Sequence, residues 1–504
     1  MSNELAPADP PSIERITRFP YGFAQQHGVV LLSVSESSIS VGYRPDAPPV
    51  ALQEARRLIG PNTDFQALSH QLFDDAISRL YQSDAMEASE AVEDTLDLDA
   101  LMHTIPVSED LLAQEDDAPV IRLINALLSD AVERQASDIH IETFELTVLV
   151  RFRIDGVLRE ILQPKRALAQ VLVSRIKIMA QLDIAEKRVP QDGRITIKLA
   201  QHEVDIRVST IPTRHGERVV LRLLDRSANK LSLSALGMNA RDSQSLEDCL
   251  TVPHGIILVT GPTGSGKTTT LYAGLAHLND GLRNILTVED PVEYDLGGIG
   301  QTQVNSKSGM TFARGLRAIL RQDPDVVMIG EIRDQETADI AVQASLTGHL
   351  VLSTLHTNTA VGALARLVDM GIEPYLLASS LTGVMAQRLV RVLCTECRRP
   401  VSDVPEIVIQ HFNANHLSFE SVFEPVGCDA CHLSGYKGRT GIYELVRIDA
   451  ALRHAIHTGA SDDAMTRLAR ESSPSIEQDG WRRVVAGTTS IDEVMRVTAV
   501  SGSK

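Results

Sequence analysis

The period of the apolar positions changes along the chain, and the changes mark its organisation. From Ala118 the spacing of Ile121, Ile124, Leu127, Leu128 and Val132 follows one face of a helix. Two strict alternations come next. Val150, Phe152 and Ile154 alternate with Arg151, Arg153 and Asp155, and Val204, Ile206 and Val208 with Asp205 and Arg207. They predict strands with one buried and one charged face, so residues 118–230 read as a mixed α/β segment. From about Ser232 to Leu393 short apolar strands are each followed by a helical stretch, the signature of a parallel sheet covered on both sides. Nearer the start, a helical pattern from Tyr21 runs into the apolar run Val29 to Leu32, and helical-looking positions extend from Ala51 to Tyr81. That front segment carries no catalytic motif.

Composition bounds the picture without naming the chemistry. A chain of 504 residues exceeds one hydrophobic core and predicts three or four domains. With 43% hydrophobic and only 4% aromatic residues, it suits a soluble, helix-rich α/β protein and neither a membrane nor a disordered one. No run of about 18 apolar residues could span a bilayer. Met1 to Pro10 carries acids and prolines where a secretory signal would carry basic and then apolar residues, so a cytoplasmic location is expected. The formal net charge of −18 counts against a nucleic-acid partner, although twelve acids and no Lys or Arg fall within residues 84–117. That stretch reads as a solvated linker behind a small front domain, residues 1–83.

Chemistry concentrates in the parallel-sheet segment. Gly261-Pro262-Thr263-Gly264-Ser265-Gly266-Lys267-Thr268 matches GxxxxGK[ST] in full and follows the apolar strand Gly255 to Thr260. Glycines let backbone N–H groups curl round phosphates, the following helix points its positive end at them, and Lys267 neutralises the β and γ phosphates. Thr268 is placed to ligate Mg²⁺, and the site is expected to bind a nucleotide. Three later segments put polar groups at the carboxyl end of an apolar strand, where α/β sheets hold ligands. They are Ile285 to Val288 ending in Glu289-Asp290-Pro291-Val292-Glu293, Val326 to Ile329 ending in Gly330-Glu331, and Leu350 to Leu355 ending in His356 and preceded by His349. Each acid alone could equally be a loop or capping residue, and each histidine a structural one. Their recurrence after successive strands points to water or metal positioning.

Of five cysteines, four form two CxxC pairs, Cys394/Cys397 and Cys428/Cys431, and Cys249 stands apart. Two chelating pairs supply the four thiolates of a closed, structural Zn²⁺ site. Disulfides and thiol redox chemistry are the competing readings, disfavoured by a reducing cytoplasm and by the absence of a thioredoxin-like context.

Together these segments resemble the secretion ATPase superfamily that powers type II secretion, type IV pili and type IV secretion. Gly261 to Thr268 resembles its Walker A box, Ile285 to Tyr294 (ILTVEDPVEY) its aspartate box, Asp325 to Arg333 (DVVMIGEIR) its Walker B box and Gly348 to Asn358 (GHLVLSTLHTN) its histidine box, in the family order. Ala136 to Glu142 (ASDIHIE), Val150 to Leu158 (VRFRIDGVL) and Arg188 to Arg194 (RVPQDGR) are similar to segments of the domain that precedes the core. The resemblance implies Glu293 as general base, Glu331 as the Walker B carboxylate, His349 and His356 as the histidine-box pair, and Arg207 and Arg222 as arginine fingers. Arg317 and Arg333 are weaker candidates of that kind, and any one of these arginines alone reads as a surface ion pair.

The tetracysteine insert resembles those of type II secretion and pilus-extension ATPases. Phe19-Pro20-Tyr21-Gly22-Phe23-Ala24, followed by His27-Gly28-Val29, is similar to the start of type II secretion ATPases, the general secretion pathway protein E family. The implied fold is α/β: a RecA-like P-loop core over 231–390 and a preceding mixed α/β, PAS-like domain over 118–230. A zinc insert over 391–436 and a helical C-terminal segment over 437–504 complete it. The implied assembly is a hexamer, peripheral on the cytoplasmic face of the inner membrane. Its expected contacts are an inner-membrane assembly protein at the front domain and an inner-membrane platform protein. A type IV pilus-extension ATPase is the alternative.

Overall fold

The structure, a computed structural model, describes residues 19, 24, 27–34, 39–59, 63–70, 72–73, 76, 98, 118–199, 202–225, 232–401, 403–414, 417–418 and 421–499. Apart from Leu98, the acidic 84–117 stretch lies outside the described residues, as do Pro20 to Phe23 and Met1 to Pro10. The chain forms two compact units, Met1–Ser227 and Ala228–Lys504.

In the first unit, the strand Val29–Val34 pairs antiparallel with Ile39–Tyr43, which pairs parallel with Thr63–Ala67. The helix Pro49–Ile59 links the parallel pair. The helical-looking stretch from Ala51 to Tyr81 is therefore interrupted by a strand. The sequence Gly60-Pro61-Asn62 ends the helix, and the following Thr63–Ala67 gains a pairing partner in Ile39–Tyr43.

A six-stranded antiparallel sheet follows, in the order Val157–Leu162, Val148–Ile154, Ala136–Thr143, Gly216–Asp225, His202–Thr213, Gln191–Leu199. The helices Ala118–Glu133 and Leu168–Met179 contribute Leu123, Leu127 and Ile176 to one core with Ile139, Phe152, Ile206 and Leu221 of the sheet. Arg151, Arg153 and Arg207 alternate with those apolar residues and are only half-buried, as the period-two pattern requires.

The second unit is built on a seven-stranded sheet in the order Gly300–Gln303, Ile285–Glu289, Val326–Ile329, Leu350–Leu355, Gly255–Thr260, Leu381–Leu393, Tyr436–Arg447. All pairings are parallel except the last. Gly255–Thr260, Val326–Ile329 and Leu350–Leu355 are buried at every position, which is why they read as mainly apolar runs without a polar alternation. Ala240–Leu250 and Lys267–Leu278 cover one face, and Phe312–Ile319, Gln335–Leu346 and Ala360–Asp369 the other. Thr311, Asp334 and Thr359 cap the last three through bonds from the backbone N–H of Arg314, Thr337 and Gly362, fixing where the strand-to-helix loops end.

The stretch expected to be a helical tail begins with the sheet's edge strand, Tyr436–Arg447. That strand is buried on both faces from Gly441 to Val446 and so shows no alternation to read. Four helices follow: Ala450–His457, Asp462–Ser472, Ile476–Val485 and Ile491–Thr498. The last is tied back to Leu381–Leu393 by Glu493, whose buried carboxylate accepts from Arg391 Nη2 at 2.7 Å and from Arg496 Nη2 at 2.6 Å. Burial pushes that carboxyl up, but the bonds from Arg496 and Arg391 outweigh it and hold it at about 2. No described helix is long and apolar enough to cross a membrane.

Candidate functional site

The strand Gly255–Thr260 lies in the sheet interior, paired with Leu350–Leu355 on one side and Leu381–Leu393 on the other. Its carboxyl end turns through the 261–266 loop into the helix Lys267–Leu278. Gly266, in the left-handed region at φ 87°, caps that helix without a side chain, so its first N–H groups face the loop. Nothing lies within 4 Å of the position a Cβ would take on Gly264, which leaves that part of the loop open to a ligand. Ser265 Oγ is buried without a hydrogen-bond partner, so the loop can offer it to a phosphate oxygen. Lys267 Nζ donates to the carbonyls of Gly261 at 2.7 Å and Pro262 at 3.2 Å. Burial lowers its pKa below the ordinary lysine value, and the Glu331 carboxylate opposes that shift. Thr268 is exposed in the first helical turn. An anion-binding loop with an orphaned hydroxyl, a lysine and an open glycine fits a nucleotide's phosphates.

Neighbouring strand ends bring a compact charged cluster to the same edge. Glu331 follows Val326–Ile329 and accepts from Arg333 Nη2; His356 Nε2 lies 3.2 Å from its other oxygen. Arg333 Nη1 is 3.9 Å from Asp290 Oδ2, which joins the aspartate-box loop to the cluster. Thr260 Oγ1 meets Thr357 Oγ1 at 2.7 Å and accepts from the Thr357 N–H at 2.8 Å, locking the histidine-box loop onto the phosphate-loop strand. Glu293 is half-buried, and its N–H donates to Tyr272 Oη at 3.3 Å.

His349 is not part of this cluster. It precedes Leu350–Leu355 while His356 follows it, so the two histidines flank opposite ends of a six-residue strand, roughly 20 Å of extended chain. The His349 ring bonds instead to the Ala344 carbonyl at 2.8 Å.

Glu289, the first of the strand-end acids named from the sequence, has a buried carboxylate. Tyr272 Oη donates to it, as do Thr287 Oγ1 at 2.6 Å and Gln301 Nε2 at 3.1 Å. Burial and the adjacent carboxylate push the Tyr272 hydroxyl up, so it stays a donor and anchors the loop that carries Glu293.

Arg207 and Arg222 lie in the first unit, directly opposite each other on His202–Thr213 and Gly216–Asp225. Like charges in that relation repel. Arg222 is balanced by the buried Asp138, whose Oδ1 accepts from its Nε at 2.9 Å, while Arg153 Nε lies 3.6 Å from Oδ2. Arg317 pairs with Glu336 at 2.7 Å, both more than half exposed at 51% and 59%, in the manner of a surface ion pair.

The four cysteines of the CxxC pairs converge with all sulfurs within 4.8 Å of one another. Cys394–Cys428, Cys397–Cys431 and Cys428–Cys431 are 3.9, 3.8 and 3.7 Å apart. A tetrahedron of thiolates at the usual Zn–S length of about 2.3 Å has edges of about 3.8 Å, so the sulfur geometry fits zinc. All four are free thiols, and the separations are far longer than an S–S bond of about 2.0 Å. Cys431 Sγ also accepts from the N–H groups of Cys428 and Gly435, each at 3.2 Å. Cys249 is buried elsewhere, and burial pushes its thiol up to about 11, out of reactive range.

Residues 113–496 match the family described as type II/IV secretion system protein, and residues 18–81 match a family of domains from GSPII protein E. The chain is 58% identical over 497 residues to the type II secretion system protein E of Pseudomonas aeruginosa, covering 98% of this chain and 97% of that one. It is 54% identical over 502 residues to the type II secretion system ATPase E of Vibrio cholerae, covering 99% of both. Among solved structures, the Legionella pneumophila ATPase DotB superposes with a TM-score of 0.55 at 21% identity over 75% of this chain and 95% of its own, a likeness of fold. The pilus retraction motor PilT with bound ADP gives 0.51 at 26% identity over 74% and 96%.

Proposed function

The chain belongs to the type II/IV secretion system protein family, and from that membership we propose that it hydrolyses ATP to drive pseudopilus assembly and protein export across the outer membrane. It is an ATP-hydrolysing secretion ATPase. The observation that carries the finer reading is the meeting of Lys267, Glu331, Arg333 and His356 beside a phosphate-binding loop at one sheet edge.

In this reading Gly261 to Thr268 bind the phosphates, Glu293 orients or deprotonates the attacking water, and His356 and Arg333 hold the Glu331 carboxylate. Thr268 and Glu331 are the residues that would hold Mg²⁺, which supplies charge neutralisation at the β and γ phosphates. Arg207 and Arg222 would stabilise the transferring phosphoryl group. Residues 1–83 would dock on an inner-membrane assembly protein, with 84–117 as linker. The 118–230 segment would carry the fingers, 231–390 the ATPase core, 391–436 the zinc site and 437–504 the C-terminal subdomain. Six copies would form a ring on the cytoplasmic face of the inner membrane, the docked assembly protein would pass the domain motion of each turnover to a growing pseudopilus, and an inner-membrane platform protein would be a further partner. The match of residues 18–81 to a GSPII protein E domain favours secretion over the pilus-extension alternative.

The test is Mg²⁺-dependent phosphate release by the purified chain, abolished in Lys267→Ala. Nucleotide binding without turnover would make the protein a nucleotide-gated scaffold, and turnover stimulated by DNA would make it a DNA motor.

The cysteine site makes a separate prediction. The purified chain should hold one Zn²⁺ that exchanges only with chelator or denaturant. Changing Cys394 and Cys397 together to Ser should lower the metal content measured by elemental analysis and loosen the 391–436 segment, while ATP binding persists. Full metal occupancy in that double variant would contradict the assignment.

A further inference from the structure

We propose that Gln387, on the strand Leu381–Leu393, is a positioning residue that holds the phosphate-binding loop in its anion-binding form; this rests on the ATP-site reading above. Gln387 is a buried amide, 2% exposed, in a stretch otherwise made of apolar residues and glycine from Gly383 to Ala386. An amide is costly to bury and an apolar side chain would pack there more cheaply, so the position asks for a polar purpose.

Its contacts supply one. Oε1 accepts from Thr270 Oγ1 at 2.7 Å, tying the strand to the first turn of the helix that follows the loop. The pairing of Thr260 with Ala386 puts Gln387 next to the first loop residue. A Cβ on Gly261, at φ 148°, would stand 2.4 Å from the Gln387 carbonyl oxygen, and one on Gly266, at φ 87°, would stand 2.8 Å from Gln387 Nε2.

The three loop glycines therefore serve two purposes. Gly264 faces open space, whereas Gly261 lies against the backbone carbonyl of Gln387 and Gly266 against its side-chain amide. The motif's last glycine is fitted to the glutamine side chain, while its first is fitted to the strand backbone at that position, and through Gly266 and Thr270 the side chain holds the end of the loop where the helix N–H groups begin. Gln387 touches no reacting atom; its side chain acts through Gly266 and Thr270.

Three variants of the full chain test this, read by equilibrium binding of a fluorescent ATP analogue and by KM and kcat of Mg²⁺-dependent phosphate release. Gln387→Met keeps the length and loses the hydrogen bond. Gln387→Glu keeps an acceptor for Thr270 but sets a carboxylate against Gly266. Thr270→Val removes the other partner.

Gln387→Met should weaken nucleotide binding and raise KM about tenfold, with kcat at saturation within about threefold of wild type. Gln387→Glu should weaken binding further, because its charge opposes the phosphates. Thr270→Val should act in the same direction, and its combination with Gln387→Met should be no worse than Gln387→Met alone, since one bond is lost in each.

Wild-type KM and affinity in a folded Gln387→Met or Gln387→Glu chain, even with a lowered melting temperature, would overturn the proposal by reducing the residue to packing. A fall in kcat with KM unchanged would overturn it too. Should Gln387→Met fail to fold, Gln387→Glu and Thr270→Val decide by the same criteria. Absence of Lys267-dependent nucleotide binding in the wild-type chain would instead bring down the ATP-site reading, and this proposal with it.

Discussion

Glu331→Gln is expected to leave nucleotide binding at or above the wild-type level and to slow phosphate release by at least ~10²-fold. The substitution keeps the shape of the side chain and one acceptor oxygen while removing the charge. In the wild-type chain that charge answers the Arg333 guanidinium and the His356 ring, and it raises the proton affinity of Lys267. Without it these groups form a more positive edge beside the loop, which favours polyphosphate. The same change deprives the site of the carboxylate that would organise metal and water, so binding and turnover should separate. Fluorescent-nucleotide titration and single-turnover phosphate release on one preparation measure both. Unchanged turnover would remove Glu331 from the site and leave it as the counter-ion of Arg333.

What could be read in the sequence was the chemistry that requires particular residue types at fixed spacing. Gly261 to Thr268 could be placed because a phosphate loop needs those glycines, that lysine and that threonine after a strand. The two CxxC pairs could be matched to a tetrahedral ion for the same reason, and the sulfur separations agree with it. Spatial relations across strands were not visible. Arg207 and Arg222, fifteen positions apart in sequence, are direct neighbours only because their strands pair in that register. His349 and His356 are close in sequence and lie at opposite ends of a strand. Gln387 and Tyr272 went unread because neither belongs to a spaced motif, and only their buried partners show their purpose. The edge strand Tyr436–Arg447 and the short strand Thr63–Ala67 were lost to the same cause: neither shows a regular two-residue alternation, the first being buried on both faces and the second largely exposed.

Replacing Arg207 or Arg222 with alanine is expected to lower turnover by ~10²-fold or more while sparing nucleotide affinity, if each stabilises charge that develops on the transferring phosphoryl group. The resting arrangement gives a reason to separate that role from an ion pair. Arg207 and Arg222 occupy directly paired positions on neighbouring strands, and the Asp138 carboxylate is shared between Arg222 and Arg153. The same row of paired positions runs on from Arg207 to Arg194. Four arginines, Arg194, Arg207, Arg222 and Arg153, thus share one row with Asp138, a basic surface suited to meeting an anion. Arg222→Ala breaks the bond to Asp138 but leaves that carboxylate Arg153 as a neighbour, so its effect on melting should be small against its effect on turnover. Mixing experiments then ask whether the arginines serve their own chain. An Arg207→Ala chain retains its phosphate loop, and a Lys267→Ala chain retains its arginines, so a ring assembled from both contains some complete composite sites. Recovery of Mg²⁺-ATPase activity from two inactive preparations would mean action on a neighbouring copy. No recovery despite demonstrated mixed assembly would mean action within one chain, and wild-type turnover in both single variants would return Arg207 and Arg222 to the role of ion pairs on the sheet.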